Sequence, residues 1–461
     1  MNEKIQIIFG LLGGLAVFIY GMNMMSECLQ KAAGDKMKSI LALLTKNPLL
    51  GVLAGALTTA VLQSSSATTV MAIGFVSAGL MNLPQAISII FGANIGTTMT
   101  AQIIAFKISD YIYVIIFIGF LISFVTKSEK VKSIGQTIFA FGLLFLGIET
   151  MGDVMKPLAS SPVFTDLIGR VAHIPVLGVA VGTLMTLVVQ SSSATIAVLQ
   201  NFASQPGPDG VTSILGLAGA IPILLGDNIG TTITALLASI GQSKDAKRTA
   251  VAHCIFNISG CFLFIWFVKP FAALIQSISP KGPEIEVISR QIANAHTVFN
   301  ITMTLIWVCL IKLMVKIVMT LLPDGKKGVE DPGSPIYLDE NIISQPAAAL
   351  QLVAKEIFRM SDQVRDILKK TIELVKNEEV KSIDDLKENG EQVERLGKCI
   401  TEYLAALFSS GSLTEQQAAQ TASLMCVLSD VERMGTLSVE MAECMLERSD
   451  RKYKYTPEAM D

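Results

Sequence analysis

Two short polar segments with nearly the same sequence lie inside long apolar stretches of the chain. Residues 63–69 read Gln-Ser-Ser-Ser-Ala-Thr-Thr, and residues 190–196 read Gln-Ser-Ser-Ser-Ala-Thr-Ile. At a break between two helices, their hydroxyl and amide groups could offer oxygens to Na⁺ and hydrogen-bond donors to an oxyanion, and a helix dipole would add to the attraction. Because polar groups at bilayer depth are costly unless they line a cavity or bind something, ligand binding is favoured over the alternative, close packing of small residues between helices.

Each of these segments is followed by a second matched segment. Residues 92–98 read Gly-Ala-Asn-Ile-Gly-Thr-Thr, residues 226–232 read Gly-Asp-Asn-Ile-Gly-Thr-Thr, and none of the four segments contains Lys or Arg. A bound anion would therefore be neutralised by helix dipoles and by co-bound cations, which is a direct route to cation coupling. Asp227, which corresponds to Ala93, could bind Na⁺, carry a proton or cap the following helix.

The candidate binding residues are polar side chains of these four segments, and a subset of them would ligate Na⁺. They are Gln63, Ser64, Ser65, Ser66, Thr68, Asn94, Thr97, Gln190, Ser191, Ser192, Ser193, Thr195, Asp227, Asn228 and Thr231.

A third pair of segments combines His and Asn. Residues 252–257 read Ala-His-Cys-Ile-Phe-Asn and residues 295–300 read Ala-His-Thr-Val-Phe-Asn, so that His and Asn lie four residues apart on one helical face. We favour buried hydrogen bonds that tie neighbouring helices over ligand binding for this pair, and ligand binding stays open.

The elements that carry these segments are expected to be membrane helices. Of all residues 51% are hydrophobic and 16% are charged, and the mean hydropathy is +0.54, a composition typical of integral membrane proteins. Matched positions such as Thr59 with Thr186 extend the duplication, so that residues 5–125 and 134–268 are two versions of one unit. Such repeats are typical of transporters. The N-terminal apolar run predicts an uncleaved first helix, not a signal peptide.

The chain changes character after residue 322. Residues 323–336 are rich in charge, Gly and Pro and predict a linker. Residues 337–461 carry three amphipathic helical patterns, which predict a three-helix bundle in water. Because lysines cluster at the last membrane exit, the positive-inside rule places this bundle in the cytoplasm. The apolar stripe of its third helix is predicted to be Leu424, Val427, Val431, Met434, Met441 and Met445.

Several functional classes find no support in the sequence. The seven cysteines show no metal-ligand spacing and there are three histidines, so no metal centre and no cofactor besides the coupling ion is expected. The chain contains no phosphate-binding Gly-rich loop and no nucleophile beside a base, so it is not expected to be an enzyme. The net charge of −3 gives no indication of a nucleic-acid partner.

The paired Gln-Ser-Ser-Ser segments, the paired Gly-x-Asn-Ile-Gly-Thr-Thr segments and Ala-His-x-x-Phe-Asn resemble the bacterial form of the type II sodium–phosphate cotransporters. The resemblance covers nearly all of residues 5–320 and implies Na⁺-driven movement of phosphate, two repeats of opposite orientation, and two Gln-Ser-Ser-Ser hairpins that meet at mid-membrane. Transport of another oxyanion, H⁺ coupling through Asp227, and a phosphate sensor without flux are the alternatives. The expected location is the bacterial inner membrane.

The tail from about Tyr337 resembles the PhoU-type helical domain, a module tied to phosphate regulation, but carries about three helices where the full domain has six. Completion by a homodimer is left open, and Thr436 stands where the PhoU metal signature has Asp. The predicted fold class is therefore an all-α polytopic membrane protein. It comprises a transporter domain (1–322) with two repeats, expected to be inverted and to contain re-entrant hairpins, the linker (323–336), and a cytoplasmic bundle (337–461).

Overall fold

A computed structural model of the chain describes residues 3–33, 47–77, 81–106, 108–159, 174–207, 209–323, 331–343, 346–376, 382–411 and 413–453. In these ranges the chain is almost entirely α-helical, and the only extended pairing is an isolated bridge between Pro206 and Ser213. The predicted all-α class is therefore confirmed. The chain divides into two compact units, Met1–Pro323 and Asp324–Asp461.

The first unit contains helices of very different lengths. In chain order they are α1 (Glu3–Ala33), α2 (Pro48–Leu62), α3 (Ser65–Ser77), α4 (Leu83–Ile104), α5 (Ile112–Val125), α6 (Glu129–Ala159), α7 (Pro175–Val189), α8 (Ser192–Ala203), α9 (Gly216–Gly230), α10 (Thr232–Ala238), α11 (Lys244–Phe264), α12 (Val268–Ile278), α13 (Glu284–Cys309) and α14 (Ile311–Leu321). Short 3₁₀ turns occupy Ser109–Tyr111 and Ile265–Phe267.

Six helical segments of the described residues are long and apolar enough to cross a membrane. They are Gln6–Leu29, Leu83–Ile104, Val131–Val154, Gly216–Ala238, Lys244–Ile278 and Glu284–Cys309. The shorter helix α5 buries only Ile112 and Gly119, and it exposes large apolar side chains such as Phe117 and Phe124. An exposed apolar surface of this kind is what a polytopic membrane protein presents to its surroundings.

Two pairs of short helices carry the Gln-Ser-Ser-Ser segments. The pairs are α2 with α3 and α7 with α8, and the first helix of each pair has 15 residues. At 1.5 Å per residue such a helix is about 22 Å long, less than the roughly 30 Å of a bilayer's hydrocarbon core. Each pair is interrupted at its Gln-Ser-Ser-Ser segment, as the sequence predicts for a helix break.

Glycines bring the first helix of each pair close to a long neighbour. A Cβ added at Gly55 of α2 would overlap the carbonyl oxygen of Ile89 on α4, and a Cβ added at Gly182 of α7 would overlap that of Ile223 on α9. Small residues allow this approach of membrane helices. The backbone of each interrupted pair is therefore held against the helix that carries the following Gly-x-Asn-Ile-Gly-Thr-Thr segment.

The second unit is a bundle of three helices, α15 (Pro346–Lys376), α16 (Asp384–Ser409) and α17 (Glu415–Asp450), preceded by a 3₁₀ turn at Glu340–Ile342. Two polar contacts tie the preceding segment to it. The buried Glu356 accepts hydrogen bonds from the backbone N–H groups of Ile336 and Tyr337, at 3.0 Å and 2.6 Å. Tyr403 donates to the carbonyl of Asp339 at 2.8 Å, and burial raises the pKa of its phenol.

The predicted apolar stripe of α17 is wrong in part. Val427, Met434 and Met441 are exposed, and Leu424, Val431 and Met445 are half-buried. The buried positions of the helix are Thr421, Leu428, Gly435, Ser438 and Ala442. The reason is close packing, because Gly435 lies against the side chains of α15 and α16 and a larger residue would push the helices apart.

The glycine contacts predict a stability effect that is specific to position. Gly55→Ala and Gly182→Ala should each lower the apparent melting temperature of the detergent-purified protein, since overpacking of a tight contact costs about 1–3 kcal/mol. Gly13→Ala is the matched control, because Gly13 also lies in a helix but an added Cβ there meets no atom within 4 Å. Equal melting temperatures of all three variants would contradict the close approach.

Candidate functional site

The two helix breaks have the same unusual backbone conformation. Gln63 and Gln190, which end α2 and α7, have φ values of 52° and 53°, in the left-handed region. A residue with a Cβ pays about 1–2 kcal/mol for that conformation, and such strained positions cluster at functional sites. After each glutamine the chain enters a new helix almost at once, α3 at Ser65 and α8 at Ser192.

The first serine of each segment caps the new helix. The Oγ atoms of Ser64 and Ser191 accept hydrogen bonds from the backbone N–H groups of Ala67 and Ala194, at 3.2 Å and 3.3 Å. These bonds satisfy one of the N–H groups that a helix start leaves without a partner. The first serine of each segment therefore caps a helix, a structural role that the sequence alone did not distinguish from ligand binding.

The following serines are mostly without protein partners. The hydroxyls of Ser65, Ser192 and Ser193 make no hydrogen bond to any described residue, although all three side chains are largely buried. Ser66 differs, since its Oγ lies 3.2 Å from Oγ1 of Thr234 on α10. The breaks thus keep three hydroxyls, on largely buried side chains, without a bond to the described residues and available to a ligand, and Ser66 connects α3 to α10.

The two glutamines differ in spite of their identical backbone. The side chain of Gln63 is buried, donates to the carbonyl of Ala60 at 2.6 Å, and accepts from Thr100 at 3.1 Å. The side chain of Gln190 is exposed and makes no hydrogen bond with the described residues. The sequence, which repeats Gln-Ser-Ser-Ser almost unchanged, gave no indication of this difference.

A pair of threonines lies behind each break. Oγ1 of Thr59 is 2.8 Å from Oγ1 of Thr68, and the corresponding distance between Thr186 and Thr195 is 3.1 Å. Each pair joins the last turns of one helix to the first turn of the next, so it fixes the angle of the break. All four side chains are almost completely buried.

Asp227 makes the second half chemically different. Its side chain is fully buried, and Oδ1 accepts a hydrogen bond from Thr186 at 2.6 Å. Oδ2 has no hydrogen-bond partner among the described residues. The corresponding residue of the first half, Ala93, has no polar side chain, so a buried carboxyl group and two threonine oxygens occur together in the second half alone.

The asparagines of the second pair of segments contact the two histidines. Nε2 of His253 on α11 lies 3.3 Å from Oδ1 of Asn94 on α4, and Nε2 of His296 on α13 lies 3.1 Å from Oδ1 of Asn228 on α9. The favoured interpretation of the His–Asn segments, buried bonds between helices, therefore agrees with the geometry. The asparagines that the histidines contact are 159 and 68 residues away along the chain, so the spacing of residues in the sequence does not reveal these pairs.

The last two candidate residues, Thr97 and Thr231, bond within their own helices. Their hydroxyls donate to the backbone carbonyls of Ala93 and Asp227, at 3.1 Å and 2.9 Å. A contact that the sequence did not single out is made by Gln200 on α8, whose Nε2 donates to the carbonyls of Ala101 and Ser289, at 3.1 Å and 2.9 Å. It ties α8 to α4 and α13.

The candidate residues thus form two groups, one in residues 5–125 and one in residues 134–268. Within each half, the Gln-Ser-Ser-Ser break, the threonine pair and the helix with the Asn lie together. Among the described residues, no hydrogen bond runs directly between segments 63–69 and 190–196. Residues 5–125 and 134–268 meet through the hydrogen bonds of Ser66 with Thr234, Ala101 with Gln200 and Asn94 with His253. They also meet through packing of α10 and α11 on α3 and of α8 and α11 on α4.

Comparisons with known proteins match both units of the chain. A family model described as Na⁺/Pi-cotransporter matches residues 17–153 and 147–279, and a PhoU domain model matches residues 357–445. An uncharacterized protein of Bacillus subtilis is 34% identical over 263 residues, which are 57% of this chain and 83% of that protein. No solved structure matches the chain significantly.

Relatives with assigned names are transport proteins. A protein of Salmonella typhimurium, whose provisional name is inorganic phosphate export protein YjbB, is 23% identical over 443 residues, 95% of this chain and 78% of that protein. Sodium-dependent phosphate transport protein 2A of Rattus norvegicus is 39% identical over 99 residues, 21% of this chain and 15% of that protein. Both resemblances predicted from the sequence are confirmed, and these names describe transport proteins rather than enzymes.

The threonine pairs predict unequal effects of one substitution. Thr186→Val should destabilise the protein more than Thr59→Val, because it leaves the carboxyl group of Asp227 without its hydrogen-bond donor as well as removing the threonine pair. An unsatisfied buried group costs about 1–3 kcal/mol. The apparent melting temperatures of both variants in one detergent test this, with each serving as the control for the other; equal losses would contradict it.

Proposed function

This chain belongs to the Na⁺/Pi-cotransporter family, and on that premise we propose that it couples Na⁺ to the movement of inorganic phosphate across a membrane by secondary-active transport. The observation that supports this proposal best is the matched pair of helix breaks. Each break stops a helix inside an apolar unit and leaves serine hydroxyls, on largely buried side chains, without a hydrogen bond to the described residues. Such polar groups at membrane depth are costly unless a ligand uses them.

The chemistry of the breaks suits a tetrahedral oxyanion. The hydroxyls of Ser65, Ser192 and Ser193 can each donate one hydrogen bond, and α3 and α8 direct the positive ends of their dipoles toward the breaks. No Lys or Arg lies in the four segments, so a bound phosphate keeps a net negative charge that a co-bound cation would offset. This requirement links phosphate binding to Na⁺ binding.

The buried carboxyl group of Asp227 is the strongest candidate for the cation site. Hydroxyl and carboxylate oxygens are hard ligands. Oδ2 of Asp227 has no partner among the described residues, and Oδ1 is bonded to Thr186, whose hydroxyl in turn contacts that of Thr195. Na⁺ bound there would satisfy Oδ2 and neutralise the buried charge. A proton on the same carboxyl group is the alternative, and it would make the transporter H⁺-coupled.

The two matched halves support alternating access as the transport mechanism. In transporters built from internal repeats, one repeat rocks against the other around a site near the middle of the membrane. The contacts between the two halves, which include Ser66 with Thr234 and Asn94 with His253, are where such a movement would occur here. We place the protein in the bacterial inner membrane, in contact with lipid, with the PhoU-like unit as a regulatory domain in the cytoplasm.

The proposal predicts phosphate uptake that requires Na⁺. Purified protein in proteoliposomes should accumulate radiolabelled phosphate under an inward Na⁺ gradient. The initial rate of uptake should be about tenfold higher than when choline replaces Na⁺, which corresponds to a coupling free energy of about 1.4 kcal/mol between Na⁺ and phosphate. Saturable phosphate binding in detergent without any flux would contradict transport and favour a sensor. Competition by sulfate and arsenate tests whether another oxyanion is the substrate.

A matched pair of variants controls this experiment. Ser65→Ala should raise the KM for phosphate about tenfold or more, because a hydrogen bond to a charged group contributes about 1.5–3 kcal/mol. Ser77→Ala, at the far end of the same helix, should leave the KM unchanged. A wild-type KM in Ser65→Ala would remove this hydroxyl from the binding site.

Substitution of Asp227 separates the two coupling ions. Asp227→Ala gives the second half the residue of the first half, and it should raise the Na⁺ concentration for half-maximal uptake about tenfold or more, through loss of a charged ligand. The measurement is uptake against Na⁺ concentration at several pH values. Unchanged Na⁺ dependence together with a lost response to a pH gradient would assign Asp227 to a proton instead.

A further inference from the structure

Two buried clusters of the same composition contain polar atoms that no described residue satisfies. In the first cluster, His253 lies 3.3 Å from Oδ1 of Asn94 through Nε2, and Asn257 donates from Nδ2 to the backbone carbonyl of His253 at 3.1 Å. Nδ2 of Asn94, Nδ1 of His253 and Oδ1 of Asn257 have no hydrogen-bond partner among the described residues. We call this set the first Asn–His cluster.

The second Asn–His cluster repeats the first atom by atom. Nε2 of His296 lies 3.1 Å from Oδ1 of Asn228, and Asn300 donates to the carbonyl of His296 at 3.0 Å. The same three atoms lack partners among the described residues, namely Nδ2 of Asn228, Nδ1 of His296 and Oδ1 of Asn300. A buried polar atom without a partner costs about 1–3 kcal/mol, so the same omission in both halves indicates a ligand.

The contact between His and Asn fixes the direction of the amide. An amide oxygen can only accept, so Nε2 of each imidazole carries the proton and donates it. The amide NH₂ of Asn94 and of Asn228 therefore faces away from the ring, and its two N–H groups find no acceptor in the described part of the chain. Without the imidazole, the amide could rotate and present its oxygen, which repels an anion.

These amides belong to the helices that lie against the two breaks. Asn94 stands between Gly92 and Gly96 on α4, and an added Cβ at either glycine would overlap backbone of α2. In the second half, Gly226 and Gly230 of α9 approach α7 in the same way and flank Asn228. Since Asn94 and Asn228 stand two residues from these glycines, their side chains lie on the other side of α4 and α9, toward α11 and α13, and the helices themselves connect them to the breaks.

We propose that His253 and His296 are positioning residues for the transported phosphate, each orienting the amide of one Asn so that its N–H groups are presented to the anion. This inference rests on the proposed function and adds the two amides to the serine hydroxyls as phosphate donors. Each His comes from a helix outside the interrupted pair it serves, α11 for the first half and α13 for the second. These helices thereby complete both halves of the site.

Replacement of each His by Leu and by Gln tests the proposal. His253→Leu and His296→Leu remove the donor and should raise the KM for phosphate about tenfold, since a misoriented amide forfeits a hydrogen bond to a charged group. The Gln variants keep an N–H donor and should restore the KM to within about threefold of wild type. The measurements are phosphate uptake in proteoliposomes and equilibrium binding of radiolabelled phosphate in detergent.

A control variant distinguishes positioning from simple helix tying. Ser259 on α11 accepts a hydrogen bond from Trp307 Nε1 on α13 at 3.0 Å, so Ser259→Ala also removes a partly buried bond between these helices. It should leave the KM for phosphate unchanged. If the Leu variants lower only the melting temperature or the maximal rate while the KM stays at the wild-type value, the histidines are structural and the proposal is overturned.

A second variant covers the case in which the Leu variants do not fold. Asn94→Asp keeps an oxygen for His253 but replaces the amide NH₂ by an oxygen that repels phosphate, so phosphate binding should be lost while the protein remains monodisperse. A wild-type KM in Asn94→Asp would overturn the proposal. Failure of the wild-type protein itself to bind or move phosphate would instead reject the proposed function.

Discussion

The requirement that buried polar groups find partners organises the first unit. Two helices stop at left-handed glutamines inside an apolar environment, and each stop exposes backbone and side-chain groups that need hydrogen bonds. The capping serines, the threonine pairs and the His–Asn contacts meet part of this need within the protein. The groups that remain unsatisfied are similar in both halves, and they define what a ligand must supply.

Close packing of backbones makes this arrangement possible. The interrupted helices approach their long neighbours so closely that glycine is required at the contacts, for example Gly55 against Ile89 and Gly182 against Ile223. These contacts set the distance between a break and the Asn-bearing helix beside it. Because the backbones are held rigidly and close together, short polar side chains can reach an anion, and long charged side chains are not needed.

The two halves share a framework but differ in chemistry. Gln63 is buried and bonded whereas Gln190 is exposed, and among the described residues the fully buried carboxyl group, that of Asp227, lies in the second half. Under the proposed function, hydroxyl and amide donors of both halves would bind the anion, and the carboxyl group of the second half would bind the coupling ion.

The sequence by itself determined the helical fold, the positions of the breaks and the paired polar segments, because these depend on local composition and on spacing along the chain. Tertiary structure alone decided which groups meet. His253 and Asn94 are separated by 159 residues, and their contact depends on how α11 packs on α4. The burial of Gln63 and the buried face of α17, where Gly435 packs and Met434 is exposed, were likewise set by neighbouring helices, whose surfaces no local pattern records.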